Sequence, residues 1–512
     1  MYSSQKDANC AWGECGTNVT LVFAKQSPGW ALPHAICCGV VVTPLTQQNR
    51  TGTTVLLTTD LLDRMCGSLG FHLYTNIATL TSHRLVACRL QCGNVMPHNL
   101  LLLLFLCAAV TARTSVNRPL PVQPQRIGDE CRVSLKDGLP RNQPLLIRSS
   151  TKRRDHTAFL MPDTTGILHV PQGEGVLLAC PGRDNQLANL GLAETVVQCQ
   201  GGETFVRSGK QFVMKDFNCT SFVSHSARRN TTARCEVPGD FIVIDVGYQL
   251  RDGSFYTLMQ TCFDERNRDA VYAKFVQTPV IEAAQHGEQR PIFIEGEFYP
   301  DVNVNSKYVR DGQRNTMSQI LGSNELGAKY IGEGDYYLAR GHLVARADFV
   351  FSSHQRATFW YVNVAPQWQT FNGGNWNTLE ANVRKFTASQ DRPIVIYTGT
   401  HGTLSFPDAS GTMRPLFLHI DERTGAGKIR VPQYFWKVLY EPQSRRGVAF
   451  VAINNPYEAN FTPLCHDVCA SIPWIKWQAK KQKLGFGNCC EVAELRRTIT
   501  TIPNLNVAGL LS

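Results

Sequence analysis

A short central segment of this 512-residue chain carries the residue types that can bind and cleave a phosphodiester. Arg340-Gly341-His342 is followed by Asn372, and then by Glu380 and Arg384, which are four residues apart. A histidine can take a proton from water near neutral pH, and an arginine binds phosphate oxygens through its planar fork. Amide and carboxylate oxygens are the ligands that Mg²⁺ prefers. The spacing therefore predicts a phosphodiesterase site with one metal ion.

A helix must present the last of these residues. Trp376, Leu379, Val383 and Phe386 recur at three- and four-residue steps, which is typical of the core-facing stripe of a helix. Glu380 and Arg384 would then share a different face. Segments that are apolar at both odd and even positions predict buried central strands, because a strand covered on both faces loses the alternation of apolar and polar residues. These segments are residues 358–364, 393–398 and 448–453.

Three further segments carry a recognisable pattern: Asn363-Val364-Ala365-Pro366-Gln367, Tyr397 to Gly402 and Val431 to Lys437. With the segments above, they resemble the DNA/RNA non-specific endonucleases of the ββα-metal class, and most of all the secreted double-stranded-RNA nucleases and salivary endonucleases of insects. The resemblance spans roughly residues 246–475. It implies an α+β fold, in which a ββα-metal nuclease domain with a central mixed or antiparallel sheet flanked by helices follows a smaller β-rich, disulfide-containing region.

The resemblance also implies roles for individual residues. His342 is expected to be the general base and Arg340 a phosphate clamp. Asn372 is expected to bind Mg²⁺ directly, with Mn²⁺ able to substitute, and Glu380 to orient metal-bound water as part of the metal site. Arg384 is expected to steady the transition state and leaving group, giving 5′-phosphate and 3′-hydroxyl ends.

Three other positions qualify this expectation. Asn363 is predicted to belong to the catalytic set by supporting the site rather than by binding a second metal. Lys274 is a weaker candidate for a basic residue that the family carries on an early strand. Many members of the family have Asp before Arg-Gly-His, whereas this chain has Ala339. That difference leaves open a catalytically weak or inactive nuclease-like protein that still binds nucleic acid.

Charge and composition suit a nucleic-acid substrate without choosing one. The chain is 43% hydrophobic, enough for a large core, and has a formal net charge of +10, which favours a polyanionic partner. Recognition through phosphates tolerates many sequences. The resemblance to the secreted insect enzymes implies double-stranded RNA as the first substrate and DNA as a parallel one. A secreted structural glycoprotein would not need the site residues, and a zinc enzyme would need converging histidine or cysteine ligands.

The first 145 residues predict a secreted protein. Met96 precedes a short apolar run, Leu100 to Val110, and small residues that suit cleavage before Arg113, so residues 96–112 read as a signal peptide. The run is too short to span a bilayer, and no membrane partner is predicted. Residues 1–95 then read as an upstream extension absent from the mature protein, with a genuine cysteine-rich domain as the alternative. Residues 113–145 read as a linker or propeptide-like lead.

The cysteines support the same compartment. Ten cysteines follow Ala112, an even number that predicts up to five disulfide bonds. The four cysteines between Cys465 and Cys490 leave a zinc site as the alternative. Three glycosylation triplets begin at Asn218, Asn230 and Asn460. The mature chain then divides into a β-rich region, residues 146–245, and the endonuclease domain, residues 246–512.

Overall fold

A computed structural model of the protein describes residues 130–287 and 289–512. The predicted extension (1–95), the signal peptide (96–112) and the start of the lead (113–129) lie outside the described residues. No helix within the described residues is long and apolar enough to cross a membrane.

The described chain mixes strands and helices. The strands are β1 Glu130–Ser134, β2 Leu145–Arg148, β3 Ile167–Pro171, β4 Gly175–Ala179, β5 Glu194–Gly201, β6 Thr204–Arg207, β7 Lys210–Val213, β8 Ser226–Asn230, β9 Ile242–Gln249, β10 Phe255–Asp264, β11 Asp269–Gln277, β12 Leu338–His342, β13 Val364–Trp368, β14 Ile394–His401, β15 Ser405–Pro407, β16 Met413–Pro415, β17 Phe417–Ile420, β18 Gly427–Arg430, β19 Tyr434–Glu441, β20 Arg446–Ile453, β21 Gly487–Cys490 and β22 Gly509–Leu510. The helices are α1 Val304–Lys307, α2 Arg310–Leu321, α3 Asn324–Tyr330, α4 Ser352–Arg356, α5 Gln369–Phe371, α6 Asn377–Ala388 and α7 Val492–Thr498.

The N-terminal part is a small β region. Strands β2, β4, β5, β6 and β7 form one sheet in the order β2-β4-β5-β6-β7, and β1 pairs with β3. Cys131 on β1 is bridged to Cys199 on β5. The lead expected over residues 113–145 therefore overlaps the folded region from Glu130 onward. Pairing with β3 and the bridge to Cys199 hold this short segment, and both partners are distant in sequence.

The large sheet carries the nuclease domain. Its order is β21-β20-β19-β14-β11-β10-β9-β8, antiparallel throughout, with β22 pairing in parallel with β20. The predicted α+β class with a mixed or antiparallel central sheet is confirmed. The predicted boundary between residues 245 and 246 falls inside β9. The large sheet begins earlier than predicted, because β8, which pairs with β9, already belongs to it.

A ββα unit lies beside the large sheet. Strand β12 pairs with β13 in antiparallel register, with Gly341 opposite Ala365, and the chain then enters α5, an irregular turn over residues 372–376 and α6. The strands predicted over 393–398 and 448–453 are confirmed as β14 and β20. The prediction of a strand over residues 358–364 is wrong. A 3₁₀ turn occupies Tyr361–Asn363, and β13 begins at Val364.

The predicted helix stripe and disulfides are also confirmed. Trp376, Leu379, Val383 and Phe386 are all buried. All ten cysteines that follow Ala112 are bridged, and the zinc alternative fails because none of the four C-terminal cysteines keeps a free thiolate. The bridges are Cys131–Cys199, Cys180–Cys219, Cys235–Cys262, Cys465–Cys490 and Cys469–Cys489.

Candidate active site

A cleft of about 710 Å³ opens over the ββα unit. Five of the six predicted site residues line it, and the sixth, Asn363, does not. The five are Arg340, His342, Asn372, Glu380 and Arg384. The structure thus brings together side chains from β12, from the turn before α6 and from α6 itself.

His342 ends β12 with its ring between aromatic neighbours. The ring centroid lies 5.2 Å from that of Phe293 and 5.1 Å from that of Phe359. Nε2 is buried and has no hydrogen-bond partner among the described residues. Burial lowers the pKa of His342 to about 3, the charges of Arg290 and Arg346 act in the same direction, and a hydrogen bond to the Arg340 backbone opposes them. The imidazole is therefore neutral, with a nitrogen that can accept a proton.

Gly341 permits the close strand pairing that sets the direction of its two neighbours. A Cβ atom added at Gly341 would lie 2.5 Å from Oε1 of Gln367 and 2.9 Å from the Ala365 carbonyl oxygen. Both atoms belong to β13, so a larger residue would push the strands apart. Because successive side chains of a strand alternate, such a shift would move Arg340 and His342 together.

Arg340 is held by a cage of aromatic rings. Its Nε donates to the hydroxyl of Tyr361 at 2.8 Å, and its Nη2 donates to the Asn305 carbonyl at 3.4 Å. The guanidinium carbon lies 5.0 Å from the ring centroid of Tyr308 and 5.6 Å from that of Phe293. These contacts fix the plane of the fork, which suits it to bidentate binding of a phosphate.

The turn between α5 and α6 presents Asn372. A helical hydrogen-bond pattern with a wider, π-type turn covers Asn372–Trp376, and Gly374 within it has non-helical angles (φ −94°, ψ −120°). Nδ2 of Asn372 donates to Oε1 of Gln369 at 3.1 Å, which leaves Oδ1 without a donor among the described residues. Insertions of this kind interrupt helices mainly at functional sites. Here it gives the cleft an oriented amide oxygen.

A buried charge cluster forms the floor of the cleft. Arg384 Nη1 donates to Asp348 Oδ1 at 3.0 Å. Burial and the nearby charge of Asp348 raise the pKa of Glu380 to about 7, while Lys437 and Arg384 oppose that rise. Lys437, on β19, is itself buried and donates to Thr398. Burial lowers its pKa, and the two carboxylates act in the opposite direction.

Sequence reasoning did not single out Asp348 or Lys437. Lys437 had a signal, because a lysine inside the apolar run Phe435 to Leu439 is expected to have a buried partner. Asp348 had none, since it follows His342 by six residues in a segment without periodicity.

Asn363 and Lys274 lie outside the cleft, whereas Ala339 lies in its wall. The Asn363 side chain is fully buried and bonds the backbone of Val344 and Thr358. Lys274, on β11, is paired with Glu236. Ala339 lines the cleft opposite Gln367. The amide of Gln367 is buried with neither polar atom bonded within the described chain.

Comparison with known proteins identifies the family of this chain. Residues 240–493 match the family model described as DNA/RNA non-specific endonuclease. A salivary endonuclease of Lutzomyia longipalpis is 27% identical over 351 residues, covering 66% of this chain and 78% of its own length. Salivary protein Tsal2A of Glossina morsitans morsitans is 23% identical over 387 residues, covering 75% and 94%. A crystal structure of the EndoG/EndoGI complex aligns at 23% identity and a TM-score of 0.27 over 40% of this chain and 74% of that chain. Because the matched residues contain the large sheet from β9 to β21 and the whole ββα unit, the chain belongs to the DNA/RNA non-specific endonucleases, a family of metal-dependent nuclease hydrolases.

Proposed function

We propose that this protein is a secreted, Mg²⁺-dependent endonuclease that hydrolyses double-stranded RNA and DNA without strong sequence preference. One observation carries the proposal. The imidazole of His342 and the amide of Asn372 line the same cleft as the guanidinium groups of Arg340 and Arg384. Nε2 of His342 and Oδ1 of Asn372 have no hydrogen-bond partner within the described chain. The salivary relatives and the five disulfide bonds support secretion, because disulfides persist in oxidising compartments.

The charge of the cleft favours a phosphate backbone. Four arginines line it, and Glu380 is its one lining carboxylate among the described residues; the arginines are Arg290, Arg340, Arg346 and Arg384. Contacts to phosphate give affinity without reading bases, so a cleft of this kind accepts many sequences. Double-stranded RNA remains the first substrate that we expect, with DNA beside it.

The donor set fits a hard divalent cation. Asn372 Oδ1 and the Glu380 carboxylate are oxygen donors that Mg²⁺ or Mn²⁺ accepts, and a phosphate oxygen and water would supply the remaining positions. When bound, such an ion polarises a phosphoryl oxygen and stabilises the charge that develops on it. Gln369 orients the Asn372 amide, which lowers the entropy lost when the oxygen becomes a ligand.

The chain's own residues can carry the proton and the charge. His342 accepts a proton at Nε2 from a water molecule whose oxygen forms the new bond to phosphorus. Arg340 and Arg384 bind the non-bridging oxygens, and Arg384 is held toward the cleft by Asp348. The bond from phosphorus to the 3′-oxygen breaks, and the departing oxygen takes a proton from solvent water, giving a 5′-phosphate and a 3′-hydroxyl.

The test is a cleavage assay on protein produced from Met96 through a secretory pathway. Long duplex RNA and duplex DNA are offered side by side with Mg²⁺ or with EDTA. We expect metal-dependent loss of both substrates, and loss of RNA alone would narrow the protein to a double-stranded RNase. His342→Ala should remove nearly all cleavage and keep duplex binding, whereas His466→Ala, at an exposed histidine outside the cleft, should cleave like the wild type.

Ala339 supports a second candidate, a nuclease-like protein that binds nucleic acid without cleaving it. Folded wild-type protein that binds duplex but cleaves neither substrate across pH would favour that candidate. Near-normal turnover by His342→Ala would instead reject the assignment of the base.

A further inference from the structure

A lysine-rich loop runs beside the helix that carries Glu380 and Arg384. Residues 474–486, called the lysine loop below, contain four lysines and neither Asp nor Glu; the lysines are Lys476, Lys480, Lys481 and Lys483. All four are exposed, and none is in an ion pair within the described residues. Unpaired like charges repel one another, so such a cluster gains when an anion covers it.

Inward-facing aromatic residues fix the course of this loop. Trp474 stacks on Phe386 near the end of α6, with ring centroids 4.4 Å apart. Trp477 packs edge-on against Phe450 of β20, with centroids 6.0 Å apart. The bridge between Cys469 and Cys489 closes the segment that contains the loop. The indoles therefore pin the loop to the protein while its lysines remain in solvent.

At its other end the loop is bonded to the turn that presents Asn372. Asn375 donates from Nδ2 to the carbonyls of Gln478 and Gly485, at 2.9 and 2.6 Å, and its Oδ1 accepts from the Gln478 backbone at 2.9 Å. The Asn375 side chain is 1% exposed. Leu484 packs so closely on Gly374 that an added Cβ would lie 3.1 Å away. The loop and the cleft therefore share one rigid support.

Lys483 connects the loop to the rim of the cleft. Its Nζ lies 5.7 Å from the ring centroid of Tyr336, and the next residue, Tyr337, lines the cleft. Asn372 and Gly373, which also line the cleft, precede the two residues that hold the loop. A chain of phosphates that leaves the cleft over this rim would meet the lysines next.

We infer that the lysine loop binds the phosphate backbone of a nucleic-acid duplex beyond the scissile bond, as an extension of the cleft. This inference rests on the proposed function, since it assigns the loop to the same substrate. The loop would raise affinity for long duplexes over short ones without reading sequence, because lysines contact phosphates as point charges.

The experiment measures equilibrium binding in EDTA, so that cleavage plays no part. The loop variant combines Lys476→Gln, Lys480→Gln, Lys481→Gln and Lys483→Gln. A matched control removes the same charge from the β region through Lys136→Gln, Lys152→Gln, Lys210→Gln and Lys215→Gln, at four lysines that are also exposed. Long RNA and DNA duplexes, and short ones that only fill the cleft, are titrated over a range of salt concentrations.

We expect the loop variant to bind the long duplex at least about tenfold more weakly than the wild type, with a smaller loss for the short duplex. Its slope of log affinity against log salt should fall by about 2 to 4, because each phosphate that the loop no longer neutralises lowers the slope by about one. The control should bind like the wild type. Equal affinity and slope for the loop variant and the control would overturn the inference.

Other outcomes separate this inference from the proposed function. A wild-type protein that binds long duplex through the lysines but never cleaves would remove the proposed function and keep the inference. Cleavage by the wild type, with unchanged binding by the loop variant, would remove the inference alone. If the loop variant lost affinity only for anionic vesicles and not for either duplex, the loop would face a membrane surface and the inference would fall.

Discussion

Arg384 and Asp348 form an ion pair at the floor of the cleft, with Nη1 and Oδ1 3.0 Å apart. Asp348 is 4% exposed and Arg384 is 21% exposed. The buried aspartate therefore holds the arginine in place, and the guanidinium remains accessible from the cleft. The second carboxylate oxygen of Asp348 accepts from the backbone of Ala345 at 3.1 Å. The aspartate thus ties the direction of Arg384 to the chain that follows β12.

Asp348→Asn should therefore reduce both cleavage and stability. The neutral amide leaves the Arg384 charge without its partner, and breaking a buried pair costs about 3 kcal/mol or more in the free energy of unfolding. Loss of such supporting contacts typically lowers activity on the order of 10- to 100-fold. Turnover of duplex and thermal unfolding measure the two effects.

Asp301→Asn is the matched control, because Asp301 pairs with Arg268 at the same 3.0 Å but is 32% exposed. It should cost less than about 1 kcal/mol and keep turnover. Wild-type turnover in Asp348→Asn would show that Arg384 does not need this partner.

Asn372→Ala should raise the Mg²⁺ concentration needed for half-maximal cleavage. The variant removes the amide oxygen proposed as the direct ligand, and we expect a shift of about tenfold or more. Gln369→Ala should shift the titration in the same direction by less, because Gln369 only holds the Asn372 amide in place.

Asn382→Ala serves as a control on α6, where the side chain of Asn382 bonds the Thr378 carbonyl of its own helix. Its Mg²⁺ titration should match that of the wild type. An unchanged titration in Asn372→Ala would remove Asn372 from the metal site.

The sequence predicted the parts of this fold that depend on local pattern. Helix α6 followed from a stripe of apolar residues at helical spacing, and β14 and β20 followed from continuous apolar runs. The five cleft residues came from a motif in which residue type and spacing are set together by chemistry. The cysteine count predicted up to five bridges, although their pairing depends on which strands become neighbours.

What the sequence did not predict depends on contacts between distant segments. Strand β1 is held by β3 and by the bridge from Cys131 to Cys199. Because both contacts involve distant residues, composition alone could not distinguish β1 from the linker-like lead predicted over residues 113–145. The segment 358–364 is apolar enough for a strand, but Asn363 within it turns the chain by bonding the carbonyls of Val344 and Thr358. The role of Asp348 depends on Arg384 and Glu380, which are distant in sequence and reach it only in the folded protein.

Asn363→Ala should lower the stability and also the turnover, through His342. Asn363 Oδ1 accepts from the Val344 backbone at 2.9 Å, Nδ2 returns a bond to the Val344 carbonyl at 2.9 Å, and the Asn363 carbonyl accepts from Leu343 at 2.9 Å. His342 directly precedes these two residues. Each buried backbone group left unsatisfied costs about 1 to 3 kcal/mol. We expect kcat to fall with little change in KM.

Asn454→Ala separates positioning from simple loss of stability. Asn454 is equally buried and bonds Trp368, Pro366 and Pro432, at the far end of β13 from His342. Both variants should unfold at lower temperature, and kcat, measured where both are folded, should fall further for Asn363→Ala. Equal kcat values would mean that Asn363 supports the fold and not the base.

Glu380→Gln should stabilise the metal-free protein, and by an amount that depends on pH. Burial raises the pKa of Glu380 to about 7 in the folded protein, against 4.5 as its ordinary value. Between these two values the unfolded chain ionises and the folded protein does not, so stability is lost as pH rises through this window. The upper bound of the loss is roughly 3.5 kcal/mol, since one pKa unit corresponds to about 1.4 kcal/mol.

The measurement is thermal unfolding in EDTA from pH 4 to pH 8. The unfolding temperature of Glu380→Gln should exceed that of the wild type at pH 8, and the two should converge as the pH falls toward 4.5. Added Mg²⁺ should reverse the order at pH 8, because the ion stabilises the ionised carboxylate of the wild type and finds a weaker partner in the amide. A difference between the proteins that is independent of pH would mean that the Glu380 carboxyl ionises in the folded protein as it does in the unfolded chain.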